Sequence, residues 1–375
     1  MQKTDTKMTL LVDGREAFPE ILRCIERAQT SIRVNMFIWR DDDIGNRIAA
    51  ALLAAAERGV QVDISVDRYG VVLEKAEECK RSFFHKRQTL TEKIKTATLE
   101  VLYPMSGAPK RARDEESELY RRIVDHPNIR LDRARFKADH SKFYIFDGET
   151  VIMGGINIED KENGADRQGR VYQDYMVKLE GRSAVESLLF TLEGNGGQGS
   201  DWFFGANVKE PVRRFDMERL YLAMIGEAKK ELVITMAYFS PLPQFLDAIA
   251  AAYRRGVRIT VLVPERANFQ SDTNRKTAEK LLKMTDNGIN VYFSPKMVHT
   301  KLVANESWVS FGSCNITKKA FRQLDELNCF LRRGSDTAEQ LMDSVRDEHG
   351  LSRRITDRRE VRYHRLLAWL EGFLV

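Results

Sequence analysis

Two segments of the chain repeat one pattern. Ala138–Asn157 (ADHSKFYIFDGETVIMGGIN) and Met297–Asn315 (MVHTKLVANESWVSFGSCN) each hold a histidine, a lysine two positions on, an apolar run, a turn, a second apolar run and a small-residue pair before an asparagine. In an extended chain, residues i and i+2 share a face. His140 and Lys142 are therefore expected to project together, as are His299 and Lys301. Asp147 directly precedes Gly148, where a tight hairpin turn is the natural reading. It is read as fixing the turn and not as touching a ligand. In the second copy Glu306 follows Asn305 at this place and the hairpin is one residue shorter, so Glu306 is read as turn support too.

The flanking sequence repeats as well. Phe18, Ile21, Leu22 and Ile25 fall at helical spacing between Gly14 and Ala28, and 31–39 then reads as a strand. Asp43–Glu57 reads as a second helix, ended by Gly59 in the position favoured after a helix C-terminus, and 60–67 as a second strand. The order returns later: a helix ending near Lys230, the strand ELVITMAYF, a helix over Pro243–Arg254, then Gly256 and the strand VRITVLVPE. AAERGVQVDISVD and AYRRGVRITVLVP are one internal repeat seen twice. Such alternation predicts an α/β fold of two pseudo-symmetric halves, each a mixed, largely parallel β-sheet flanked by helices. The glycine-rich GNGGQG loop places the division at 205/206, giving domains 1–205 and 206–375. The path from Gly59 to His140 is much longer than that from Gly256 to His299, so the first half carries an insertion at about 71–128.

A single His-x-Lys is a weak signal. Two copies, each leading to the same small-residue segment and Asn, are a strong one. The pattern resembles the phospholipase D superfamily, whose signature is His-x-Lys-x-x-x-x-Asp followed by Gly-Ser-x-Asn, present twice in one chain. The match falls on His140, Lys142, Asp147, Gly154, Gly155 and Asn157, and again on His299, Lys301, Gly312, Ser313 and Asn315. Within that superfamily the chain is similar to bacterial cardiolipin synthases. The similar places are GGIN in the first motif, Leu-Glu-Gly ending the next strand, Asp201-Trp202, and DELN after the second motif.

The resemblance implies two phospholipase D-like halves with the active site at their interface. Two His, two Lys and two Asn would surround one cationic, donor-rich pocket suited to a phosphate group. It implies a covalent phosphohistidine: His140 is assigned the nucleophile, and His299 the acid that protonates the leaving alcohol and then activates the acceptor. A catalytic imidazole needs a carboxylate to hold its tautomer. By the same resemblance Asp174 and Glu326 take that place. Lys142, Lys301, Asn157 and Asn315 would bind the phosphate, with Ser313 a further ligand and Gly155 standing in its place in the first copy. The implied reaction is phosphatidyl transfer from a donor such as phosphatidylglycerol. The alternatives left open are a hydrolase releasing phosphatidic acid and a nuclease on the same site. No metal or cofactor is expected.

With 375 residues, 43% hydrophobic and 31% charged, the chain has material for two cores. Its longest apolar run, around Ile48–Ala56, is far below the roughly 20 residues that span a bilayer. The N-terminus carries no secretory pattern. The expected setting is cytoplasmic, with peripheral contact to the anionic inner face of the cell membrane, a phospholipid substrate and no nucleic acid. The mild net charge of +5 permits an anionic partner. Lys80, Arg81, Lys86, Arg87, Lys93 and Lys95 of the insertion, with Phe83 and Phe84 among them, predict either a helix lying on such a surface or over the active-site mouth, or a solvated arm. The basic and apolar tail from Arg353 to Val375 is read as a membrane-seeking helix or as one closing the second core. The four cysteines, Cys24, Cys79, Cys314 and Cys329, form no C-x-x-C pair, and Cys314 is read as a buried filler. His85, His126, His349 and His364 lack motif context and are read as surface or packing residues.

Overall fold

A computed structural model of the chain describes residues 6–77, 81–103, 116–134, 136–197 and 199–374. Cys79 and Lys80 lie outside these. The chain divides into two compact units, Met1–Glu186 and Ser187–Val375. The strand Trp202–Val208, which spans the 205/206 position, belongs wholly to the second.

The first unit opens with β1 (Lys7–Val12) and α1 (Asp13–Arg27), followed by β2 (Ser31–Met36), α2 (Asp43–Glu57) and β3 (Gln61–Val66). Ala17, Phe18, Ile21 and Ile25 of α1 are buried at helical spacing. The alanine-rich α2 starts where the Asp42 side chain accepts the Gly45 N–H at 3.0 Å, an N-cap bond. Then come α3 (Gly70–Ala76), α4 (Leu90–Leu102), α5 (Glu118–Asp125), β4 (Ile129–Asp132), the hairpin β5 (Phe143–Phe146) and β6 (Thr150–Gly154), the two-residue β7 (Tyr172–Gln173) and β8 (Tyr175–Glu180). Helix α6 (Arg182–Leu192) carries the chain into the second unit. The sheet order is β1-β8-β6-β5-β2-β3-β4.

The second unit repeats the scheme. Its elements begin with β9 (Trp202–Val208), β10 (Arg214–Phe215), α7 (Met217–Glu227), β11 (Glu231–Met236), β12 (Phe239–Ser240), α8 (Pro243–Arg254) and β13 (Arg258–Pro264). They continue with α9 (Ser271–Met284), β14 (Asn290–Ser294), β15 (Met297–Val298), β16 (Lys301–Asn305), β17 (Trp308–Gly312), β18 (Ile316–Thr317) and α10 (Lys318–Arg322). The end is β19 (Glu326–Arg332), α11 (Asp336–Leu351), β20 (Arg353–Ile355) and α12 (Arg365–Leu374). Its nine-stranded sheet runs β10-β9-β19-β17-β16-β11-β13-β14-β20.

The mixed α/β class and the duplication are as the sequence predicts, but the sheets are not largely parallel. Within these two sheets parallel pairing is confined to β2-β3-β4 and β11-β13-β14. The other neighbours in these two sheets pair antiparallel. The reason lies in the connections. Helical crossovers force parallel strands, whereas the motif itself is a hairpin, and a hairpin can only add antiparallel ones.

One further expectation is corrected. Residues 81–88 form no basic surface helix. Phe83 and Phe84 are 0% and 1% exposed and pack on Trp39 with ring centroids 6.1 and 5.1 Å away. Each adds about 1.5–3 kcal/mol of burial to the core. At the other end α12 docks on α9, with Ala368 and Glu371 buried and the Glu371 carboxylate accepting the Thr273 N–H at 2.7 Å. It closes the second core.

Gly154 and Gly312 let the hairpins lie tight against their neighbours. A Cβ on Gly154 would meet the Tyr175 carbonyl oxygen at 2.2 Å, and one on Gly312 the Leu327 oxygen at 2.3 Å. Backbone cannot step aside as a side chain can, so Gly154→Ala is expected to lower stability by about 1–3 kcal/mol. Urea unfolding of the variant, read as a fall in midpoint at unchanged slope, checks this.

Candidate active site

Each unit places its own motif at the carboxyl ends of its parallel strands, where open α/β sheets leave a crevice. His140 and Lys142 sit just before β5, and His299 just before β16, which Lys301 begins. The pairs thus occupy the approach to the strand. Lys142 Nζ donates to the His140 carbonyl, and Lys301 Nζ donates to the His299 carbonyl. Both lysines are 0% exposed, and His140 and His299 are 8% and 6% exposed. A buried ammonium costs several kcal/mol unless its donors are satisfied. The backbone bond ties that cation to its own histidine. Phe37 adds to the first half, meeting the His140 ring edge-on at 4.7 Å while Lys142 Nζ lies 5.0 Å from its centroid. In the second, Tyr238 meets His299 at 6.4 Å.

The residues flanking His140 are held from β2 and β3. Asn35 Nδ2 donates to Asp139 Oδ2 at 3.0 Å, to the Ser141 carbonyl at 3.1 Å and to Ser141 Oγ at 3.0 Å. Asp67 accepts the Asp139 N–H and, at 2.6 Å, the Tyr69 N–H. These two residues were not singled out in the sequence. They lie at strand ends, where a polar side chain looks like any other.

Asp174 and Glu326 occupy matching places. Asp174 fills the break between β7 and β8, Glu326 opens β19, and both are buried. The Gly155 N–H donates to the Tyr175 carbonyl at 3.1 Å and the Ser313 N–H to the Leu327 carbonyl at 3.0 Å, so each acid directly precedes the acceptor of its motif's small residue. A Cβ on Gly155 would meet Asp174 Oδ2 at 2.2 Å. In the second copy the Ser313 hydroxyl donates to Glu326 Oε2 at 2.5 Å. The structure therefore sets Ser313 against the acid as its hydrogen-bond partner. Asn315 Oδ1 accepts the Tyr238 N–H at 3.2 Å. Asn157 Oδ1 is buried with no hydrogen-bond partner among the described residues.

Asp147 and Glu306 do one job with different lengths. Asp147, at φ 52° in the turn before Gly148, accepts the N–H groups of Gln29, Thr30 and Ser31 at 2.8–3.1 Å. Glu306 accepts those of Lys229, Lys230 and Glu231 at 2.9, 3.3 and 3.5 Å. The shorter second turn is closed by Asn305 Oδ1, which takes the Ser307 and Trp308 N–H groups at 2.8 and 2.9 Å. Each carboxylate anchors its hairpin to the loop that enters the central strand.

A buried ionic cluster lies just past Asn157. Arg40, 1% exposed, donates to Glu159 and, at 2.6 Å, to Glu77. Lys161 Nζ lies 2.8 Å from Glu77 and 3.2 Å from Glu159. Burial works against the Lys161 charge, but Glu159 and Glu77 hold its pKa well above the ordinary lysine value. The cluster fixes the end of the first motif to the end of α3. Cys314 is fully buried, and burial pushes its thiol well above the ordinary range. Among the described residues no three His, Cys, Asp or Glu side chains gather as a metal site.

The family described as "Cardiolipin synthase, PLD-like domain" matches residues 21–187 and 221–347. Cardiolipin synthase B of Escherichia coli (strain K12) is 29% identical over 83% of this chain and 72% of that protein. The major cardiolipin synthase of Bacillus subtilis (strain 168) is 24% identical over 94% of this chain and 70% of its own length. Among solved structures, phosphatidylserine synthase of Haemophilus influenzae Rd KW20 superposes with TM-score 0.67 at 15% identity, covering 97% of this chain and 91% of that one, a likeness of fold.

Burial raises the Asp147 carboxyl, but the N–H groups of Ser31, Thr30 and Gln29 outweigh it and hold the pKa below the ordinary value. Glu306 is lowered likewise, against burial, by its own N–H and those of Lys230, Lys229 and Glu231. A depressed carboxylate pKa stabilises the fold above the unfolded value, and that contribution is lost as pH falls through the folded one. Below about pH 4 the wild type is thus expected to lose stability more steeply than Asp147→Asn/Glu306→Gln. Thermal melts across the acid range measure the difference.

Proposed function

The chain belongs to the family of cardiolipin synthases with phospholipase D-like domains, and we propose that it is a phosphatidyltransferase acting on phosphatidylglycerol-like phospholipids through a phosphohistidine. The observation that carries this reading is the duplicated half-site: in each copy a buried lysine is bonded to its histidine's carbonyl, and a buried acid stands against the motif's small residue. The names of the relatives supply the substrate class.

In the proposed cycle both motifs act on one phosphodiester. The His140 imidazole attacks phosphorus, forming a P–N bond, and His299 gives a proton to the departing glycerol oxygen as the P–O bond breaks. A hydroxyl of a second phosphatidylglycerol then loses its proton to His299 and attacks phosphorus, and the P–N bond breaks to release cardiolipin. Lys142, Lys301, Asn157 and Asn315 hold the phosphoryl oxygens, whose charge is spread over the group. Asp174 and Glu326 orient the imidazoles. The proposed setting is a peripheral one at an anionic membrane. Among the described residues no helix is long and apolar enough to cross a bilayer.

Incubation with phosphatidylglycerol vesicles tests the reading. Cardiolipin and glycerol are the expected products, with His140→Ala and His299→Ala each lowering the rate by at least about a thousandfold. Phosphatidic acid in place of cardiolipin would make the enzyme a hydrolase. Full activity in both variants would overturn the catalytic assignment.

A further inference from the structure

Helix α4 is polarised opposite to an ordinary surface helix. Its inner face carries Glu92, Thr96 and Leu99, all buried. Its outer face carries Leu90, Ile94 and Val101, which are 75%, 60% and 79% exposed. These fall on one helical stripe, with Ala97 exposed between them. The inner polar groups are satisfied. Glu92 takes the Arg68 guanidinium at 2.8 and 3.0 Å and completes a capping box with Thr89, while Thr96 Oγ accepts from Gln88 Nε2 at 2.8 Å. Polar bonds therefore hold the helix to its unit while an apolar stripe faces out.

That stripe stands beside the first half-site. Phe136, 50% exposed, meets Tyr69 edge-on at 5.0 Å, and Lys95 Nζ lies 5.4 and 5.8 Å from the two rings. Tyr69 stacks on Phe37 at 6.1 Å, and Phe37 meets His140 at 4.7 Å. A run of rings leads from Phe136, against Lys95 of the helix, through Tyr69 and Phe37 to the proposed nucleophile. Arg87, Lys93 and Lys95 are exposed around the stripe, where the acid is a half-buried Glu100.

We propose that this face of α4, with Phe136, docks on an anionic phospholipid bilayer. An apolar stripe rimmed by cations is what an interfacial helix presents to such a surface, with apolar side chains at the acyl boundary and ammonium groups among the headgroup phosphates. The inference rests on the phosphatidyltransferase reading, which requires a donor drawn from a membrane to reach His140. The run of rings lies along that route.

Sedimentation of the full chain with vesicles tests it, using equimolar phosphatidylglycerol and phosphatidylcholine against phosphatidylcholine alone. The wild type is expected to bind the anionic vesicles more tightly. Leu90→Gln/Ile94→Gln should lower that binding at least about tenfold. Arg87→Gln/Lys93→Gln should lower it about tenfold on anionic vesicles and leave the neutral ones unchanged. Both variants should still turn over dihexanoyl phosphatidylglycerol below its micelle concentration, which shows that fold and site are intact. Wild-type binding in both double variants overturns the proposal, as does equal binding of the wild type to both vesicles. Loss of short-chain turnover along with vesicle binding also overturns it, making the stripe part of the folded core. A dimer that Leu90→Gln/Ile94→Gln dissociates without changing vesicle binding assigns the face to a second copy instead. Vesicle binding as expected with no donor turned over would sink the transferase reading and leave the docking face standing.

Discussion

A buried lysine bonded to the carbonyl of the histidine two residues before it is the contact on which each half of this molecule turns. Lys142 and Lys301 are completely shielded from water, and an ammonium in that position is tolerated only when its donors are met. Bonding one of them to the His140 or His299 carbonyl ties the backbone just where the chain enters β5 and β16. Cation and histidine backbone are thereby tied as a unit in each copy.

The two copies reach this arrangement with different materials. Where the first uses Asp147 in a left-handed turn, the second uses the longer Glu306 and lets Asn305 close the turn. Where the first sets the short Asp174 against Gly155, the second sets Glu326 against a serine hydroxyl. Changes at one position are met by changes at its neighbour, so the contact is kept while the residues differ. The halves have also diverged in their roles around the motif: the first carries the Arg40–Glu77–Glu159–Lys161 cluster and helix α4.

The motifs, the helix boundaries of α2 and α8 and the duplication were legible because they rest on local signals: spacing, terminal glycines and near-identical strings. Gly59 and Gly256 do adopt the positive φ expected after their helices. The predominance of antiparallel pairing was misread because helix-strand alternation describes only part of each sheet, and hairpins contribute the rest. Phe83 and Phe84 were misread because a basic neighbourhood suggests a surface, whereas Trp39, distant in sequence, draws both rings into the core. The ionic cluster was invisible for the same reason. Arg40 and Glu159 look like ordinary charges until the fold brings them together.

One of the paired histidines is proposed to carry the phosphoryl group between donor and acceptor. This is tested most directly by quenching the enzyme during turnover of short-chain phosphatidylglycerol and locating the adduct by peptide mass spectrometry under neutral or basic conditions, where a phosphorus–nitrogen bond survives. A phosphatidyl group is expected on the peptide bearing His140. The same group on His299 would exchange the two roles, and an adduct elsewhere, or turnover whose stereochemistry at phosphorus is inverted, would rule out a phosphohistidine at this pair.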